Sequence, residues 1–137
     1  MKNFLKNRKL YRNTVPLKQN SGEPVLLVGE DLHEVEEAAD ATLVSSFPAG
    51  DWAVDYHLPV LDLDYEAHLE PSSTIGHYHL YLDRFVEHGK YMKLLEALAD
   101  CGLIEWGYND AAQKRGATFV RVPGVRKGVD LPASEQT

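Results

Sequence analysis

The chain has 137 residues, 44% hydrophobic and 26% charged, with a formal net charge of −7 and a single Cys. That size suits one domain able to bury a core without a structural metal, and one Cys excludes an internal disulfide. The acidic balance argues against a surface that embraces nucleic acid all round, and no apolar run approaches the roughly 20 residues that span a bilayer. With no apolar leader ahead of a small-residue cleavage site, a cytoplasmic protein that does not enter a membrane is expected.

Charge is uneven along the chain. Lys2, Lys6, Arg8, Lys9, Arg12 and Lys18 make residues 1–22 a basic arm, expected to be a solvated, partly disordered terminus able to touch phosphates or an acidic partner. Residues 23–127 read as one domain and 128–137 as a tail. Within the domain, "NSGEP" (Asn20 to Pro24) is turn chemistry and "VLLVG", ended by Gly29, a short strand. From Asp31 to Val44, Leu32, Val35, Ala38, Ala39 and Leu43 recur at helical spacing behind Asp31 as a cap, which predicts a helix. "SSFPAGD" breaks the chain.

Two alternating, β-rich stretches follow, "WAVDYHLPVLDLDYEAHL" and "GHYHLYLD", joined by the loop residues of "EPSSTIG". Tyr91, Leu94, Leu95 and Leu98 then mark a helix stopped by Gly102, with Cys101 as a small core residue. "NDAAQKRG" predicts a shorter helix capped by Asn109 and ended by Gly116, and "ATFVRVPG" a last strand. Trp52 and Trp106 are expected as core or rim anchors. The order βα, β, β, α, α, β implies an α+β fold: an antiparallel or mixed sheet with helices on one face, RRM-like or ferredoxin-like, leaving the other face open.

Chemistry gathers in "DLDYEAHLEPSSTIGHYHLYLD". It carries Asp62, Asp64, Glu66, Glu70 and Asp83, and four of the six histidines fall between His57 and His79. In a strand Asp62 and Asp64 project together, as do His77, His79 and Asp83, while Tyr78, Leu80 and Leu82 take the opposite face. If "LDLD" pairs with the second strand, two carboxylates and two imidazoles share the open face. Close carboxylates repel unless a cation sits between them, and the mixture suits Mg²⁺ or Mn²⁺ and also admits Zn²⁺. Tyr81 beside His79 offers a ring on which a base or sugar could stack. A solvated, merely polar sheet face is the plain alternative. Neither a phosphate loop nor a nucleophile elbow nor a His-Glu-x-x-His pattern is present.

The "LDLD" strand resembles the first motif of archaeo-eukaryotic primases and primase-polymerases, "SSTIGHYHLY" resembles their second, and "FVRVPGVRK" is similar to the Arg-x-Pro-Gly segment that closes the module. The likeness covers residues 60–127. It implies that Asp62 and Asp64 hold divalent metal, that Asp110 is the candidate third acid, and that His79 is catalytic and contacts the nucleotide's phosphates. His77 and Arg121 would help to bind phosphate, on an RRM-like sheet. The block "PSST" followed by "GHYHLYLD" is also similar to small uncharacterised actinobacteriophage proteins, which implies a phage accessory protein working in host cytoplasm. Two functions of different class therefore stand side by side. One is a divalent-metal-dependent site binding a nucleotide or nucleic-acid phosphate, or transferring a nucleotidyl group, in active or degenerate form. The other is a non-enzymatic accessory protein that binds a host or viral protein through its acidic surface.

Overall fold

The computed structural model describes residues 4–16, 18, 21–22, 31–50 and 55–126. They form an α+β fold of two small antiparallel sheets and two helices, distributed over two compact units, Met1–Asp62 and Leu63–Thr137. Among these residues no helix is long and apolar enough to cross a membrane. The expected strand at "VLLVG", and Trp52, lie outside the described residues.

The first unit is built on the basic arm. Its strand β1 (Arg8–Asn13) is the centre of a three-stranded sheet, flanked by β2 (Leu32–Val35) and β3 (Leu43–Pro48) in the order β2-β1-β3. The helix predicted from Asp31 to Val44 is therefore replaced by two strands and a three-residue 3₁₀ turn, Ala38–Asp40. Charge accounts for this correction. A helix would stack Glu36 against Asp40 at i, i+4 and Glu34 against Glu37 at i, i+3, and like charges at those spacings destabilise it. As a strand, the acidic segment lies beside basic β1, with Tyr11 opposite Glu34 and Arg12 opposite His33. Leu10 faces Val35 on one side and Val44 on the other, and is only 7% exposed.

A register shift between Arg8 and Leu10 interrupts the β1–β3 ladder. Ser45 fills the break: its Oγ donates to the Lys9 carbonyl (2.8 Å) and accepts from the Phe47 N–H (3.1 Å). Arg8 is not a free cation either. Its Nη1 donates to the carbonyls of Leu58 (2.6 Å) and Pro59 (3.3 Å), and Leu58 N–H donates to Ser46 (2.8 Å), so residues 58–59 are strapped to β3.

In the second unit, helices α1 (His88–Asp100) and α2 (Trp106–Arg115) pack together. The first follows its apolar spacing, with Leu95 and Ala99 buried and Tyr91 and Leu98 half-buried. It ends as expected at Gly102 (φ 77°): Gly102 N–H donates to the Ala99 carbonyl and Leu103 N–H to that of Leu98, the paired bonds of a left-handed stop. Cys101, expected in the core, is exposed. Two residues beyond Ala99 lie about 200° around the helix, away from the buried stripe.

The second helix stops at Gly116 (φ 77°) as expected but begins at Trp106, three residues ahead of the predicted cap. Asn109 is thereby placed inside the helix. It is 3% exposed, and Gln113 Nε2 donates both to its Oδ1 (3.0 Å) and to the Met92 carbonyl on α1 (2.9 Å). Trp106 is half-exposed, nearer to rim than to core.

The last predicted strand is absent: residues 117–122 pair with no ladder among the described residues. Side chains tether them instead: Thr118 Oγ1 bonds Tyr91 Oη (2.7 Å) and Arg115 lies over the Phe119 ring. Burial pushes the Tyr108 phenol above its ordinary value; the Thr118 bond works against that shift and the neighbouring Tyr91 adds to it.

Two expectations follow. Gly102→Ala should destabilise the second unit by about 1 kcal/mol, because a Cβ disfavours the left-handed conformation, and Leu95→Ala by about 2 kcal/mol or more through lost burial and a cavity; thermal or denaturant unfolding reads both. Because the folded state favours the neutral Tyr108 phenol, its contribution is fully present below about pH 10 and is lost as pH rises through the raised value. Stability of Tyr108→Phe should accordingly fall less steeply than wild type above that pH.

Candidate functional site: the two faces of the β4–β5 hairpin

The chemistry-bearing stretch folds as a hairpin, but not the one expected. The strands are β4 (Ala67–Pro71) and β5 (Tyr78–Leu82); "LDLD", predicted to be the first strand, lies ahead of β4 without ladder partners. Local geometry decides between the two candidates. Gly76 has φ 84°, His77 N–H donates to the Thr74 carbonyl (3.1 Å), and Ser72 N–H donates to the His77 carbonyl (2.9 Å). The Ser72 Oγ also accepts from the Thr74 N–H (3.0 Å). This turn ties His77 to Ser72, so "AHLEP" rather than "LDLD" meets the second strand.

The register then sorts the side chains. His68 lies opposite Tyr81, Glu70 opposite His79, Ala67 opposite Leu82, Leu69 opposite Leu80 and Pro71 opposite Tyr78. Directly opposed residues share a face, so one side carries His68, Glu70, His79 and Tyr81. Glu66 and Asp83 extend it at one end, where Asp83 N–H donates to the Glu66 carbonyl, and Ser72 and His77 at the other. The remaining face is wholly apolar. The parity expected for β5 therefore holds, while its acidic neighbours are Glu66 and Glu70 instead of Asp62 and Asp64. Their signal in the sequence is Glu66-x-His68-x-Glu70, a period-two pattern that starts four residues after Asp62.

On the polar face His68 Nε2 meets Glu70 Oε1 at 2.5 Å, and the His68 and Tyr81 rings lie 6.3 Å apart. At the open end Arg84 donates to the Tyr65 hydroxyl and lies over that ring, 4.4 Å from its centre. A shallow hollow of about 210 Å³ is lined by Glu66, His68, Tyr81, Leu82 and Asp83. Sites that enclose drug-sized molecules run from about 300 Å³ upward, so this hollow does not enclose a nucleotide.

The other residues named from sequence are dispersed. Asp62 is the last residue of the first unit and Asp64 belongs to the second; both are exposed and neither sits in a strand. Asp110 is exposed within α2, and Arg121 is half-buried and engaged with neighbouring groups in the unladdered segment after it. His57 packs within the first unit, its Nδ1 2.9 Å from Ser46 Oγ and its ring 5.6 Å from that of Phe47. Among the described residues no three His, Cys, Asp or Glu side chains are gathered as a metal ion needs.

The apolar face is the more unusual feature. Tyr78, Leu80, Leu69 and Leu82 are 60%, 59%, 58% and 48% exposed, although they form one contiguous side of the hairpin. The chain matches no protein-family model, no curated protein and no solved structure.

Gly76→Val should loosen this hairpin, since a β-branched residue is a strong outlier at positive φ. Amide exchange across β4 and β5 should quicken while that of α1 is unchanged.

Proposed function

We propose that this chain is a non-enzymatic binding protein that docks a partner protein on the apolar face of the β4–β5 hairpin. The observation that carries this reading is the uncovered row Leu69, Tyr78, Leu80 and Leu82. A two-stranded hairpin is marginal in water without a layer against it, and contiguous exposed apolar surface marks interaction sites. The flanks of the hairpin indicate the partner's character. Asp64 and Glu87 flank it along a chain of net charge −7, so a partner surface that is apolar at its centre and basic at its rim suits it, and opposite charge speeds encounter.

Leu69→Lys/Leu82→Lys changes the face without touching the ladder. A partner captured by immobilised wild type from native cell lysate should be lost with the double variant, whose circular dichroism remains that of wild type. Undiminished capture by the folded variant would place the binding surface elsewhere.

A second reading has its own support in the polar face, where His79 and Tyr81 stand side by side with His77, His68 and Glu70. In this reading Asp62, Asp64 and Asp110 hold Mg²⁺ or Mn²⁺, or Zn²⁺ recruits the imidazoles. His79 acts on the phosphates of a nucleotide or nucleic acid that His77 and Arg121 help to bind, in the manner of a primase-polymerase module. Metals would neutralise charge developing on the transferred phosphoryl group. A ligand at about 100 times its dissociation constant adds roughly 2.7 kcal/mol of stability, which thermal melting with each metal, with and without nucleotide, would detect. Asp62→Ala/Asp64→Ala should remove that gain; an equal gain in the double variant, or none at millimolar metal, refutes the reading.

A further inference from the structure

Among the described residues the hairpin has an unpaired edge as well as an exposed face. In the β4–β5 ladder, the bonds Ser72 N–H to His77 and Asp83 N–H to Glu66 fix which backbone groups point inward. Antiparallel pairs alternate between bonded and non-bonded, so residues 66, 68, 70 and 72 exchange bonds with 83, 81, 79 and 77. The intervening residues direct their N–H and C=O outward: Ala67, Leu69 and Pro71 on one edge, Tyr78, Leu80 and Leu82 on the other. Among the described residues the sheet has two strands, and the outward groups of β5 make no hydrogen bond.

The two edges differ. On β4, Pro71 has no N–H to offer. On β5 every outward residue has one, the strand carries no charged residue or proline, and its pairing with β4 shows no bulge. Proteins ordinarily blunt such an edge with Lys, Pro or a bulge; β5 has none of these.

We propose that β5 pairs antiparallel with β5 of a second copy, across a two-fold axis at Leu80. Among two-fold registers only this one engages all three outward residues, Tyr78 with Leu82 of the second copy, Leu80 with Leu80, and Leu82 with Tyr78. The side chains agree with it on both faces. The apolar side becomes an unbroken row of Tyr78, Leu80 and Leu82 from each copy. On the polar side His79 meets Tyr81, and His77 meets Asp83, twice, at non-bonded positions where side chains approach most closely. That match of imidazole donor to carboxylate acceptor, made twice, is what selects a second copy over an unrelated strand. The result is a four-stranded sheet, above the two-strand limit of marginal stability, whose two outer edges each lack a donor at Pro71. The inference concerns the edge and does not rest on what covers the face.

Sedimentation velocity of the full chain across a concentration series tests it. Wild type should move from 15.4 kDa to twice that mass with a dissociation constant below about 100 µM. In Leu80→Pro the lost N–H is one that points away from β4, as proline in a strand requires, so the hairpin should persist while the dimer disappears. His77→Asp sets two like-charged pairs opposite each other and should weaken association roughly tenfold; His77→Asp/Asp83→His restores the pairs in reverse and should recover it. The charge swap decides the matter even if Leu80→Pro misfolds. A mass fixed at 15.4 kDa up to about 500 µM overturns the proposal, as does a dimer that is indifferent to the swap.

Discussion

Everything distinctive about the second unit depends on the register of β4 against β5. Because strand side chains alternate with a period of two, shifting the pairing by one residue would exchange the faces completely. The turn at Thr74–His77 prevents that slip. With Gly76 at positive φ and Ser72 bonded both to His77 and within the turn, the strands leave the loop already aligned. The polar row, the apolar row and the outward backbone groups are three results of one hydrogen-bonding pattern.

The buried hydrophobic residues among those described are few: Leu10 in the first unit, and Leu95, Ala99 and Ala112 in the second. Polar tethers accordingly hold segments that a larger core would hold by burial. Arg8 uses its guanidinium on two backbone carbonyls, Gln113 joins the helices through Asn109 and Met92, and Thr118 joins the chain after α2 to both tyrosines. Such bonds contribute about 1 kcal/mol each, but leaving a buried partner unpaired costs more. Geometry at these points is thus more specific than the apolar area alone would make it.

Features set by neighbouring residues were legible in the sequence. The Leu94–Leu95–Leu98 stripe marks α1, Gly102 and Gly116 mark helix ends, and alternation in β5 separates His77 and His79 from Tyr78, Leu80 and Leu82. Features set by distant pairing were not. Residues 31–44 have helical spacing, but β1 offers them a basic strand on which to pair. "LDLD" and "AHLEP" alternate equally well, and only the length of the turn chooses between them. The final "ATFVRVP" has strand composition without a neighbouring strand to complete it. Asn109 has cap chemistry but sits four residues into α2, where it meets Gln113. The candidate site differs for the same reason: alternation alone sets His79 on its strand, whereas distant pairing makes Glu70, and not Asp62 or Asp64, its cross-strand partner.

The shared hydroxyl of Thr118 also has a dynamic meaning. The segment that follows it lacks ladder bonds among the described residues, and its tethers are side chains: Thr118 on Tyr91, Phe119 beside Arg115, and Arg121 with its neighbours. Segments fastened in this way open locally at a free energy below that of global unfolding, so residues 119–122 can loosen while α1 and α2 remain folded. This end of the described chain is thus fastened to the helices by side chains rather than by a strand ladder.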